Sequence, residues 1–356
     1  MTPGNQSQKA GQGSQQIQVA GDLIMGIDEG RAKEIAVVTA RQVIAEFTDE
    51  ALATVRTRID ELDERVIRTL TETDQLGAFA DPGFQRAIKK AQNSAAASDR
   101  AMDYDMLAAL LSDRAAKPKD RRVLSAIERS IEIIDQVDDD ALRALTILMS
   151  VPKWSPTSGF INEGLDLIEK VFAQLVDGPL PTGGEWAEHL DIVDAVRVSS
   201  TSEFKKFDDL LAERLNGYAA AGVLKGEAPD FVGGNFPEVS WAGVLTDHEL
   251  RPGYVRLATP SAAALRKSLE KQGLAEELIT EMMTTAESLF GVGVGRGTEE
   301  SIAAFKEALR ARPVLARIGE WWDQIPGYVR ATAVGRTLAI ANAFRLDVSN
   351  ELPREE

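Results

Sequence analysis

Residues 52–66 read Leu-Ala-Thr-Val-Arg-Thr-Arg-Ile-Asp-Glu-Leu-Asp-Glu-Arg-Val and contain the clearest periodic pattern in the chain. Their apolar positions follow the spacing 3, 4, 3, 4, which is the a/d pattern of a coiled coil. These positions are Leu52, Val55, Ile59, Leu62 and Val66. The pattern predicts one long amphipathic helix from Asp28 to Gln75. Two interpretations stay open, because two heptads are fewer than a coiled coil usually needs: a stalk between copies, or a helix packed on its own domain.

The segment before this helix has a different character. Residues 1–16 are rich in Gln, Gly and Ser, whereas residues 17–27 are alternating or apolar around a Gly-Asp turn. This pattern predicts two short strands. Because an isolated strand pair is marginally stable in water, we expect a β oligomerisation segment; a flexible tail with an apolar patch is the alternative. Its expected contacts, with trimer as the first stoichiometry to test, are Ile17, Val19, Leu23 and Ile24.

Composition excludes several classes of function. The 356 residues include no cysteine and two histidines, with a formal net charge of −16. The chain therefore has no thiolate chemistry and few routes to histidine chemistry. The acidic balance disfavours broad nucleic-acid binding. With no signal-peptide core and no apolar run of about 18 residues, we expect a cytoplasmic chain that does not enter membranes.

The predicted fold class is mainly α, in five parts. A break at Pro152–Ser158 separates two helical domains. The parts are a β oligomerisation segment (1–27), a long helix or coiled-coil stalk (28–77), a helical domain (81–151), a helical domain with a winged-helix-like unit (160–273), and a C-terminal helical region with a second winged-helix-like unit (274–350).

A short motif occurs twice in the C-terminal half. Gly-Tyr-Val-Arg stands at residues 253–256 and again at residues 327–330, each time as a predicted strand before a helix. Four residues can also match by chance. Winged-helix units bind nucleic acid or protein, and residues 203–273 hold nine Lys/Arg against ten Asp/Glu, which favours protein. Nucleic-acid binding, if present, is predicted to use Arg330, Arg336 and Arg345.

A search for catalytic signatures finds no nucleophile elbow, zinc-protease motif or EF-hand loop. The acidic run Asp138-Asp139-Asp140 fits a helix N-cap better than a cation site. His189 fits a structural role, and Asp247-His248-Glu249 fits a surface triplet. Gly291–Thr298 is rich in glycine but follows a helix, so it fits a linker better than a phosphate loop. We therefore predict no catalytic, cofactor-binding or metal-binding residue.

Several segments together resemble an uncharacterised bacterial protein family. The likeness begins with Asn5-Gln6-Ser7-Gln8-Lys9-Ala10-Gly11 and continues through Gln16–Asp22, over most of residues 5–225. Ala80–Gln85 and His189–Arg197 also belong to it. In this family a β-segment precedes a helical body, and similar segments precede effector or sensor modules of bacterial conflict systems. The resemblance implies a defence setting and supplies no catalytic residues.

Three functions follow as expectations. The first is a homo-oligomeric interaction, scaffold or regulatory protein with an unknown protein partner, acting in bacterial stress or phage defence. The second is a winged-helix regulator that binds nucleic acid. The third is an enzyme with an unrecognised site, at Gly291–Thr298 or Asp247–Glu249.

Overall fold

The fold is mainly helical, as the sequence predicts. A computed structural model describes residues 27–45, 47–49, 51–117, 120–227, 244–347 and 352, and within these ranges the chain forms fourteen α-helices and five short strands. The predicted β oligomerisation segment, with Ile17, Val19, Leu23 and Ile24, lies outside the described residues.

The N-terminal half is a helical bundle. Aspartates cap four of its helices by accepting amide hydrogen bonds, at positions 28, 81, 120 and 138. At the last of these, Asp138 accepts from the amides of Asp140 and Ala141, so the predicted N-cap is confirmed. The helices are α1 (Glu29–Ile44), α2 (Leu52–Glu72), α3 (Pro82–Ala97), α4 (Ala101–Ala116), α5 (Arg121–Ile133) and α6 (Asp139–Lys153).

The C-terminal half mixes helices with two small antiparallel sheets. One sheet pairs β1 with β5, and the other has the order β2-β4-β3. The elements are α7 (Ile161–Leu175), α8 (Glu185–Ile192), β1 (Val196–Ser199), α9 (Phe207–Arg214), β2 (Val223–Leu224), β3 (Leu245–Asp247), β4 (Tyr254–Leu257), α10 (Ala262–Lys271), α11 (Glu276–Phe290), α12 (Glu299–Arg310), α13 (Pro313–Trp322), β5 (Tyr328–Ala331) and α14 (Ala333–Leu346).

The predicted long helix is two helices. The chain leaves helical geometry after residue 44 and re-enters it at residue 52, and α1 packs against both α2 and α3. The reason is burial: α1 has its own apolar face, which includes Ala32, Ala36 and Val43. Two apolar faces reach one core only if the chain reverses between them.

The a/d positions of α2 are buried inside the chain. Val55 and Ile59 pack with residues of α1 and α3 in a small cluster, while Leu62 and Val66 join the main core; Leu52 is half-buried. This arrangement corresponds to the interpretation of a helix packed on its own domain. The four buried side chains do not form an oligomerisation surface in this fold.

The hydrophobic cores cross the predicted domain boundaries. The main core takes residues from Ala32 to Leu352, because the C-terminal α14 packs against α4, α5 and α6. A second core, from Ala220 to Val292, holds the β2-β4-β3 sheet with α10 and α11. The molecule is thus a helical body that includes α14, with a smaller α/β unit between α9 and α12.

Both copies of the repeated motif form the predicted strand followed by a helix, as β4–α10 and β5–α14.

No helix among the described residues is long and apolar enough to span a membrane.

Candidate functional site

The β1–β5 pair lies on the outside of the helical body. Its register places Arg197 opposite Arg330 and Ser199 opposite Tyr328. Because side chains alternate along a strand, these four share one side of the ribbon, while the buried Val196, Val329 and Ala331 lie on the side that faces the core. We call these four residues, together with the exposed Ile192 at the end of α8, the helix that contacts β1, the ribbon surface.

Two left-handed backbone positions fix the ribbon. Asp194 ends α8 with φ 65°, and Gly327 precedes β5 with φ 74°. A Cβ on Gly327 would lie 2.6 Å from the carbonyl oxygen of Ser199, so the close approach of the strands requires glycine there. After β5, the Thr332 hydroxyl donates to the carbonyl of Asp194 at 2.7 Å and accepts from the amide of Gly335, capping α14.

Apolar groups are exposed on and beside the ribbon. Ile192 is 81% exposed and Tyr328 37% exposed. The Tyr328 ring lies 4.7 Å from the ring of Phe204, which in turn contacts Trp322 in the core. Tyr328 thus packs on Phe204 with part of its ring open to solvent, and tyrosines in such positions are enriched among the residues that anchor protein interfaces.

The two opposed arginines differ in their partners. Arg197 forms ion pairs with Asp191 at 3.0 Å and with Asp194 at 2.7 Å. The hydrogen bond from Arg197 lowers the pKa of Asp194, and its positive charge adds to the effect. Arg330 is exposed and, among the described residues, has no carboxylate within 4.0 Å and no side-chain hydrogen bond.

The arginine of the other motif copy is buried. Arg256 is fully buried and donates to Glu249 at 2.8 Å and to the carbonyl of Gly159 at 2.7 Å. Glu249 also accepts from the amides of Ile161 and Asn162 at 2.6 and 3.0 Å, so it caps α7. Burial alone would raise the pKa of Glu249, but these hydrogen bonds outweigh it and lower the pKa.

Two residues of the predicted triplet Asp247-His248-Glu249, His248 and Glu249, make contacts within the fold. His248 is 4% exposed, and its Nε2 lies 3.0 Å from the carbonyl of Ala220. Its Nδ1 accepts from the amide of Leu250, so Nε2 carries the proton. Burial lowers the pKa of His248, in accord with a neutral ring. Asp247 and Glu249 are exposed whereas His248 is buried, so the prediction of a surface triplet is wrong for His248.

His189 joins two elements, as a structural histidine does. Its Nε2 lies 3.0 Å from the carbonyl oxygen of Gln136, which connects α8 to the loop before α6. Among the described residues, no group of three or more histidine or carboxylate side chains is placed to hold a metal ion.

The glycine-rich loop Gly291–Thr298 ends a helix. Gly291 terminates α11 in the left-handed conformation, with φ 69°. The space between this loop and α9 is lined by Asp209 and Glu213 as well as Lys205, and α12 begins with two glutamates. Carboxylates at these positions repel phosphate, so the geometry fits a linker better than a phosphate loop.

The three arginines predicted for nucleic-acid contact do not form one patch. Arg336 donates to the carbonyl of Ala331 at 2.9 Å, and Arg345 is half-buried with two hydrogen bonds to Asn342. Burial lowers the pKa of Arg345. Nine helical residues turn through about 900°, so Arg336 and Arg345 leave α14 on opposite sides. The predicted group therefore loses Arg345 and keeps the exposed Arg330 and Arg336.

Sequence reasoning missed Tyr328, Ile192 and Arg197 as surface residues. The repeated motif pointed to two of the ribbon's residues, but nothing in the sequence paired residues 196–199 with residues 328–331.

Comparison with known proteins identifies the family. A family model described only as ":-like" matches residues 26–351, and the chain belongs to that family. The description names no activity. No curated protein and no solved structure matches the chain.

Proposed function

We propose that this chain is an interaction protein that binds a partner protein through the ribbon surface. One observation carries the proposal: an exposed arginine without an intrachain partner lies beside an anchored, exposed tyrosine. Arginine and tyrosine are enriched among the residues that contribute most to binding at protein interfaces. The other candidate sites, at His248 and at the glycine-rich loop, are accounted for by contacts within the fold.

Site-specific photo-crosslinking tests this function. A photoreactive residue at position 192 should form adducts with a defined partner in extracts of the source cells. Val294 is the matched control, because it is also an exposed apolar residue, at 65%. Adducts at position 192 should exceed those at position 294 and should decrease when Tyr328→Ala is added. Equal adducts at both positions would overturn the proposal.

Assembly of copies through residues 15–27, with trimer as the first stoichiometry, is a separate part of the proposal. Its support is the sequence pattern alone. Light scattering on the intact chain and on a variant lacking residues 1–26 tests this assembly. Equal, monomeric masses for the two would overturn it. The deletion stops before α1, because Ala32 and Ala36 belong to the main core.

Nucleic-acid binding is the second candidate, favoured by the exposed Arg330. It is opposed by the formal net charge of −16. Salt-sensitive retention of the chain on DNA, lost in Arg330→Ala, would favour it over protein binding. The bacterial defence setting and a cytoplasmic location remain part of the proposal, supported by the resemblance of residues 5–225 and by the absence of cysteine.

A further inference from the structure

The two Gly-Tyr-Val-Arg segments share a local strand-then-helix context, although β4 is the middle strand of its sheet and β5 is one strand of a pair. Each begins at a glycine with positive φ, 88° for Gly253 and 74° for Gly327. Each strand pairs with an earlier strand that starts within two residues of a left-handed position, Gly222 or Asp194. Each leads into a helix with a hydroxyl N-cap. The two arginines share this strand context but not their distance to the helix, because Arg256 lies five residues before the cap Ser261 and Arg330 two residues before the cap Thr332.

In the first copy, the fold itself shows what this arginine binds. Arg256 holds the carboxylate of Glu249, and the second partners of that carboxylate are helix amides. A buried guanidinium needs such a partner, because desolvation of an unpaired charge is costly. In this copy, the arginine that ends the motif is bound to a carboxylate.

The second copy keeps the arginine and lacks the carboxylate. Arg330 has no acid within 4.0 Å among the described residues, and the residue across the strand pair is another cation, Arg197. Asp191 pairs with Arg197 and Asp194 is shared between Arg197 and Arg129, whereas Arg330 has no such pair among the described residues. Like charges directly opposite in a sheet are unfavourable, so an added carboxylate at Arg330 lowers the repulsion.

We propose that the ribbon surface binds an acidic segment of a partner protein, with a carboxylate on Arg330 and an apolar side chain beside Tyr328 and Ile192. This inference rests on the proposed function and names the chemistry of its partner. Charge complementarity favours a partner of this kind. Most of a chain with net charge −16 repels an acidic segment, whereas the cation of Arg330, unpaired among the described residues, attracts it.

The probe is a fluorescein-labelled copolymer of glutamate and tyrosine, measured by anisotropy at low ionic strength. Arg330→Ala should weaken binding about tenfold or more, the loss expected for one charge-assisted hydrogen bond. Arg31→Ala is the matched control, because Arg31 is an exposed arginine paired with Glu34 on α1, and it should leave binding unchanged. Arg330→Glu should bind a copolymer of lysine and tyrosine more tightly than the copolymer of glutamate and tyrosine.

The outcomes separate this inference from the proposed function. If crosslinking at position 192 is strong while Arg330→Ala changes neither adducts nor copolymer binding, the carboxylate inference is overturned and the interaction function stands. If an oligothymidine probe binds through Arg330 and the glutamate copolymer does not, the partner is a nucleic acid and the inference is also overturned. Absence of crosslinking at position 192 overturns the proposed function itself.

Discussion

The side-chain amide of Gln92 donates a hydrogen bond to a carboxylate oxygen of Asp63 at 2.9 Å, in the packed space between α2 and α3. Gln92 is fully buried. Burial raises the pKa of Asp63 to about 6; the hydrogen bond from Gln92 opposes this shift, and repulsion from Asp60 adds to it. The ionised form of the Asp63 carboxyl is therefore less favourable in the folded chain than in the unfolded chain.

This pKa makes stability depend on pH. Folding favours the protonated carboxyl, so its contribution is complete below about pH 4 and is lost as pH rises through about 6. The difference between a pKa of about 6 and the ordinary aspartate value of 3.8 corresponds to roughly 3 kcal/mol of unfolding free energy at most. Asp63→Asn removes the ionisation and should stabilise the chain at pH 8 by about 1–3 kcal/mol. Urea unfolding at pH 5 and pH 8 measures it, with the exposed Glu64→Gln as control. Parallel pH profiles for wild type and Asp63→Asn would contradict this account.

The Arg256–Glu249 ion pair lies within the small α/β unit, and both of its side chains also bond to the backbone of residues 159–162 at the start of α7. Glu249→Gln removes the charge and leaves the buried Arg256 without its counterion, so the unfolding free energy should fall by about 2–4 kcal/mol. Asp247→Asn is the neighbouring control: its pair with Lys225 is exposed, so the loss should be below about 1 kcal/mol. Urea unfolding at pH 7 distinguishes the two variants, and equal losses would refute the assigned role.

The same pair predicts acid sensitivity. The pKa of Glu249 lies below its usual value, so the pair stabilises the chain above about pH 4.5 and loses this effect as pH falls through the lowered pKa. The difference in stability between wild type and Glu249→Gln should therefore shrink below pH 4.5. A difference that stays constant from pH 7 to pH 3 would be inconsistent with the pair.

The a/d spacing of residues 52–66 correctly identified which face of α2 is buried. It could not identify whether helices of the same chain or of another copy cover that face. An a/d pattern arises equally when a helix packs on helices of its own chain. The reversal after α1 was missed because residues 45–51 contain neither glycine nor proline. Nothing in the sequence distinguished the buried Arg256 from the exposed Arg330, because a four-residue match carries no information about Glu249 or α7.

Gly327 should be indispensable for the ribbon surface. Gly327→Ala places a Cβ 2.6 Å from the Ser199 carbonyl, at a φ of 74° that alanine rarely adopts. The strands must separate, and the unfolding free energy should fall by about 2 kcal/mol or more. Gly77→Ala is the control, because a Cβ there meets nothing within 4 Å. The measurement is urea unfolding, together with the loss of adducts at position 192. Unchanged stability and adducts would show that the strands do not approach as closely as described.

Ile59 decides between the two interpretations of the a/d pattern. The side chain is fully buried within one chain, so Ile59→Ala should lower the unfolding free energy by about 2–5 kcal/mol. It should leave the native mass unchanged, because no second copy contributes to this packing. Val37→Ala, at a 48% exposed position of α1, should cost below about 1 kcal/mol. Urea unfolding gives the stability, and light scattering of the folded variant gives the mass. A folded Ile59→Ala variant of reduced mass would instead place this residue between copies and restore the coiled-coil interpretation.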